Sequence, residues 1–203
     1  MTLLDFIQKG YSFEDYLERI EDELEEQIEL DDPKELVKYY AIGLQRTRRI
    51  RKTFKYNQGL EKRIKSIKTD LKFLIISEGW CGDASQIVPV VDILANTLNI
   101  ESKIVFRDEN LDLMEEYNTN GSLSIPIIIG VTPEGEEAFR FGPRPSQAMI
   151  FTNRFKQDPD KYSKDDFHED LQRYYNENNG QDIILEILDS INEYALNIKE
   201  QED

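Results

Sequence analysis

Phe73-Leu74-Ile75-Ile76 puts four apolar side chains in a row in a chain of 203 residues, 33% of them charged. A strand with one wet face alternates polar and apolar residues. An unbroken apolar run means both faces are covered. This segment therefore calls for a central strand with packing above and below it. Three more strand-like runs follow: Lys103 to Phe106, Ile125 to Ile129, and Ala138 to Phe141. The last two are joined by Pro133-Glu134-Gly135, a turn sequence that predicts a hairpin.

Between these runs the period changes. Ile87, Val88, Val91, Leu94, Ala95 and Leu98 recur at helical spacing. Leu111 to Tyr117 reads as a short helix. The order is strand, helix, strand, short helix, hairpin, helix. It predicts an α/β fold, a four-stranded mixed sheet flanked by helices on both faces.

The flanks read as helix. Ser12 starts a capped segment carrying Phe13, Tyr16, Leu17, Ile20, Leu24 and Ile28. Asp32-Pro33 has the form of a cap followed by proline at the first helical position. A second helix should carry Leu36, Val37, Tyr40, Leu44 and Ile50 and end at Asn57-Gln58-Gly59. Past Gly142-Pro143-Arg144-Pro145, helices are expected over Ser146 to Phe155, Lys164 to Tyr175 and Ile183 to Ile198. Asp158-Pro159-Asp160 and Asn178-Asn179-Gly180 interrupt them. The expected division is a helical extension over 1–60, a central domain over 61–156, and a C-terminal helical extension over 157–203 that packs on the same domain.

The formal net charge is −16, and such a field disfavours nucleic acid and anionic membrane as partners. No apolar run approaches the roughly 20 residues that a membrane helix needs. The start, MTLLDFIQKG, lacks the basic-then-apolar pattern of a secretory signal, so a reducing cytoplasm is the expected compartment. One cysteine excludes an intramolecular disulfide and a multi-cysteine zinc site.

That cysteine, Cys81, lies in Glu78-Gly79-Trp80-Cys81-Gly82-Asp83, where the buried strand ends and a helix begins. Unpaired N–H groups at a helix N-terminus stabilise a thiolate, the nucleophilic form of cysteine. Trp80 gives an apolar wall beside the sulfur, and Gly82 lets a partner backbone come close. Asp83 pulls the other way, since a nearby carboxylate raises a thiol pKa.

Trp80-Cys81-Gly82-Asp83 resembles the start of the Trp-Cys-Gly-Pro-Cys site of the thioredoxin family. Pro89 lies eight positions after Cys81, where that family has a helix-kinking proline, and Ile125-Pro126 lies 45 positions after it, where the family has an Ile-Pro pair. Gly135 and Gly142 also fit. The resemblance covers about Leu71 to Phe155. It is nearest to a bacterial subgroup with Trp-Cys-Gly-Asp sites and a Gly-Pro-Arg-Pro stretch, matched here by Gly142 to Pro145. It implies a cis peptide before Pro126, a proline facing the sulfur, and a backbone at Ile125-Pro126 that pairs with substrate.

Two departures go together. The family's second cysteine falls on Ala84, and its buried acid on Ile75. A dithiol cycle is therefore absent. A single thiolate can still attack a disulfide or a glutathione adduct, and an external thiol must then release it. The expected function is single-cysteine thiol–disulfide exchange, with Cys81 as nucleophile and Trp80, Gly82, Asp83, Ile125 and Pro126 binding substrate. Partners would be protein or small-molecule thiols and disulfides, with glutathione as a possible cosubstrate and no metal or organic cofactor. The alternative is a redox-inactive module that docks an extended peptide.

Other side chains have plainer expected roles. Ser85 would hydrogen-bond the sulfur from a turn above. Arg46, Arg48, Arg49, Arg51, Lys52 and Lys55 would complement a helix C-terminus and pair with the acidic run Glu18 to Glu29. Arg144 is expected on the surface, with a carboxylate in the groove as its alternative partner. His168 is expected on a solvated helix face. Tyr162, Phe167, Tyr174 and Tyr175 are expected to pack helices.

Overall fold

The computed structural model describes residues 1–28 and 36–202. Asp32-Pro33 and Glu29 lie outside the described residues. Helices α1 (Leu3–Lys9), α2 (Phe13–Ile28), α3 (Val37–Thr53) and α4 (Gln58–Ile64) precede strand β1 (Lys72–Ser77). Helix α5 (Ala84–Leu98), strand β2 (Ser102–Phe106), helix α6 (Leu111–Glu116) and strands β3 (Ile127–Val131) and β4 (Glu137–Phe141) follow. Helices α7 (Ser146–Gln157), α8 (Lys164–Asn178) and α9 (Gln181–Glu202) complete the order.

The sheet is mixed, in the order β2-β1-β3-β4. β1 runs parallel to β2, with Ile75 opposite Ile104. β3 runs antiparallel to β1, with Ile75 opposite Ile128, and β4 antiparallel to β3. Phe73 to Ile76 are wholly buried, as an unalternating strand must be. Helices α1 and α5 pack on β1, α1 and α2 on β2, and α9 on β4 and α5. Helix α3 packs on α2 and α5. Between α1 and α2, Tyr11 exchanges two backbone hydrogen bonds with Ile104 of β2, at 2.8 and 2.9 Å.

Several boundaries differ from the sequence reading for local reasons. β3 starts at Ile127 rather than Ile125. The Ile125–Pro126 peptide is cis and proline has no N–H for the ladder, so regular pairing begins after it. The second helix ends at Thr53, and Asn57 opens α4 instead of closing the helix before it. The Asn57 side chain accepts the Leu60 N–H at 2.9 Å, a helix N-cap. Helix α1, unmarked in the hydrophobic pattern, begins with a Thr2–Asp5 capping box.

The Gly142–Pro143 peptide is also cis. Gly142 has φ +122°, and a Cβ there would collide with the Pro126 carbonyl oxygen. Only glycine suits both the dihedral and the approach.

The last helix contributes core. Ile183, Ile184, Ile187 and Leu188 of α9 are buried. Ile187→Ala is expected to destabilise the whole protein by about 2–5 kcal/mol in urea unfolding followed by circular dichroism. Loss of α9 helicity alone, with the rest intact, would be the contrary result.

Candidate functional site around Cys81

The chain leaves β1 at Ser77 and turns before α5. The Cys81 N–H donates to the Glu78 carbonyl, and the Ser85 N–H to the Cys81 carbonyl, so the cysteine is held at the mouth of the first helical turn. Its sulfur accepts the Ala84 N–H at 3.4 Å. Its S–H donates to the Ile125 carbonyl, also at 3.4 Å, beside cis Pro126. The sulfur therefore bridges the helix terminus and the proline loop. Cys81 is 8% exposed.

Gly79, two residues earlier, meets the extension. A Cβ there would press on Ile20 of α2 and Tyr40 of α3. The Trp80 ring carries the Arg107 guanidinium over its face, with 4.7 Å to the centroid. Arg107 also pairs with Asp108 and donates to the Leu123 carbonyl.

Asp83 joins three elements. One carboxylate oxygen accepts from Arg144 Nη2 at 2.5 Å. The other accepts from the Tyr175 hydroxyl at 2.7 Å. Arg144 also donates to Thr152 of α7 and lies over the Phe167 ring of α8. Arg144 is thus not a surface arginine: the carboxylate it holds is the protein's own. Tyr175 and Phe167 pack helices as expected and also build this cluster. The Ser85 hydroxyl is not bonded to the sulfur; it donates to the Gly82 carbonyl at 2.7 Å.

Burial pushes the Cys81 thiol up to about 12, and Asp83 adds to it. The N–H groups of Ala84 and Asp83 and the Arg144 cation oppose this and are outweighed. Of the two opposing effects visible in the sequence, the helix terminus and Asp83, the helix terminus is the one outweighed, and the thiol form is favoured. The N–H groups are there, but so is the loss of water. A second buried acid lies nearby. Glu78 accepts the Asp108 N–H at 2.9 Å, and burial raises its carboxyl to about 7.

Cys81 opens on a cavity of about 580 Å³. Trp80, Gly82, Asp83 and Ile125 line it, together with Arg46, Lys164 and His168. Pro126, joined to Ile125 by the cis peptide, is not among the lining residues. The basic run divides at this point. Arg48 pairs with Glu21 as expected, Arg51 pairs with Glu14, and Arg49 bonds Asn176. Arg46 instead faces the cavity. His168 is exposed, as its polar helix implies, but it stands on the same cavity. Sequence reasoning had no signal for this, because the approach of α8 to the cysteine is a tertiary fact.

Strand order, a helix starting at the sulfur and a cis proline beside it define a thioredoxin-type domain. A family model described as Thioredoxin matches residues 30–156, more than half of the chain, and the chain belongs to the thioredoxin family. Among solved structures, it is similar to a protein of unknown function from Pseudomonas aeruginosa, with TM-score 0.69 and 16% identity. That match covers 95% of this chain and 98% of the other. It is also similar to an HIV epitope scaffold, with TM-score 0.64, 15% identity and the same coverage. At these identities what is shared is the fold. No curated protein matches the chain.

Two outcomes follow. Asp83→Asn removes a charge that holds the thiol up and leaves the Arg144 cation beside it, so the midpoint for thiolate formation falls from about 12. Ultraviolet thiolate absorbance against pH measures this. An unchanged midpoint would remove Asp83 from the account. For Glu78, the raised folded pKa means that its contribution to stability is full below pH 4.5 and is lost as pH climbs through about 7. Glu78→Gln should remove that slope and leave the protein more stable than wild type above pH 7, by on the order of 2 kcal/mol in urea titrations.

Proposed function

We propose that the protein carries out thiol–disulfide exchange through one cysteine. Cys81 is the nucleophile, Trp80, Gly82 and Asp83 line the groove, and Ile125-Pro126 offers its backbone to the substrate. The observation that carries this reading is the sulfur's own bonding. It sits between a helix-terminal N–H and the Ile125 carbonyl, at the base of an open cavity. When a substrate N–H takes that carbonyl, the thiol proton loses its acceptor and the protonated form loses its advantage.

The proton then passes to water. The thiolate attacks one sulfur of the incoming disulfide, whose S–S bond breaks. The outer sulfur leaves as a thiolate and takes up a proton. Cys81 ends in a mixed disulfide with one half of the substrate, the other half having left as a thiol. An external thiol then attacks the substrate sulfur of that bond, returns Cys81 to a thiol and carries the remaining half away as a new disulfide. Glutathione has the chemistry for that last step, and the reaction calls for no metal or organic cofactor. With Ala84 where the family has its second cysteine, the mixed disulfide cannot resolve internally.

The assignment to the bacterial subgroup with Trp-Cys-Gly-Asp sites belongs to this proposal. So does the division into a working domain over 61–156 with extensions over 1–60 and 157–203. A reducing, cytoplasmic compartment fits a lone thiol. Among the described residues, no helix is long and apolar enough to cross a membrane.

A second reading has its own support. The high thiol pKa, together with exposed Tyr39, Ile42 and Leu123 on the same cavity, suits a redox-inactive groove that docks a peptide. Alkylation separates the two. If Cys81 reacts, its rate with iodoacetamide should climb about tenfold per pH unit with no plateau near the ordinary cysteine pKa of about 8.5. Under mild oxidant with a disulfide present, mass spectrometry should find one stable adduct on Cys81 that an added thiol removes. A native protein that forms no adduct belongs to the docking reading.

A further inference from the structure

The chain is strongly acidic, yet the cavity over Cys81 is not. Among the described residues, five groups that are or can become cationic face it: Arg46, Arg107, Arg144, Lys164 and His168. Among the same residues one carboxylate, Asp83, faces it, and Arg144 neutralises that one. Arg107 is offset by Asp108. Arg46 and Lys164 are left over. Among the described residues, neither makes an ion pair or a side-chain hydrogen bond.

Arg46 is the more telling of the two. Its Nη1 lies 3.7 Å from where a Cβ on Gly82 would sit, so the guanidinium hangs over the residue next to the cysteine. Burial and the neighbouring Arg49 both work against its charge, and only Asp83 offers partial relief. A half-buried cation without an anion is costly to keep and is relieved by a ligand that brings one. Lys164 begins α8 on the opposite extension. The two cations come from parts of the chain before and after the sheet, and both reach the cavity that holds the sulfur.

We infer that the substrate of Cys81 is a disulfide that carries a carboxylate close to its sulfur, and that Arg46 and Lys164 receive that carboxylate. This rests on the single-cysteine exchange proposed above. A cavity of about 580 Å³ suits a small peptide or metabolite. The protein's overall charge repels such molecules at long range, so the preference is built locally. It also sets the anionic disulfide apart from amine-bearing disulfides, which the distant field would favour.

The test compares three disulfides on the intact protein. Dithiobis(nitrobenzoate) is a dianion, dithiodipyridine is neutral, and cystamine is a dication. Each rate is divided by the rate of the same reagent with a free neutral thiol. This cancels intrinsic reactivity, and comparing reagents cancels the Cys81 pKa. The dianion should lead the dication by at least roughly tenfold at low salt, and salt should erase the lead. Arg46→Gln with Lys164→Gln should abolish that lead, read on the variant as the dianion's ratio against the neutral reagent's and the dication's. A dication that reacts faster, as the net charge alone dictates, overturns the inference and leaves single-cysteine exchange standing.

A second arm does not need the thiol. Trp80 is the only tryptophan and lines the cavity, so its emission in Cys81→Ser reports occupancy. Glutathione sulfonate, a peptide anion without a thiol, should shift that emission saturably, and benzoate alone should do so only weakly if a peptide is the preferred carrier. Saturation by the sulfonate with no reaction at Cys81 in the first arm upholds the anion subsite and overturns the exchange reaction. No shift and no anion preference overturns the subsite.

Discussion

The carboxylate of Asp83 is the point on which the site's geometry turns. It stands at the N-terminal end of α5 and receives Arg144 from the turn after β4 and Tyr175 from α8. A carboxylate 9% exposed at its side chain must be paired, and here it has a cation on one oxygen and a hydroxyl on the other. The pairing fixes where Gly142 to Pro145 run and how close α8 comes to the sulfur. It also enters the electrostatics: burial is the main reason Cys81 stays protonated, and the charge that draws Arg144 inward adds to it.

Fold class was legible because it rests on periodicity. Phe73 to Ile76 could only be a central strand, and the hairpin turn and interrupting Asn-Gly and Asp-Pro pairs stand where the chain turns. Errors came where a signal had two meanings. Asn57-Gln58-Gly59 could end one helix or begin the next, and the amide side chain settled it by capping α4. Ile125 looked like strand because Ile is a good strand residue, but Pro126 withholds a ladder donor.

The candidate site was legible in its local residues and illegible in its partners. Cys81, Trp80 and the Ile125-Pro126 pair sit within short motifs. Arg46, Lys164, His168 and Tyr175 lie far from them in sequence and reach the cavity only through the packing of α3 and α8. Helix-terminal N–H groups were visible in advance; the desolvation that outweighs them was not, because burial belongs to the assembled fold.

The two hydrogen bonds between Tyr11 and Ile104 have a consequence beyond α1. They cover part of the outer rim of β2, which would otherwise present bare N–H and C=O groups. A chain trimmed past Tyr11 would uncover that rim to a second copy, and strand-to-strand aggregation is the usual outcome of such a rim. The first dozen residues, remote from the cysteine, act in this way as a guard on the solubility of the sheet.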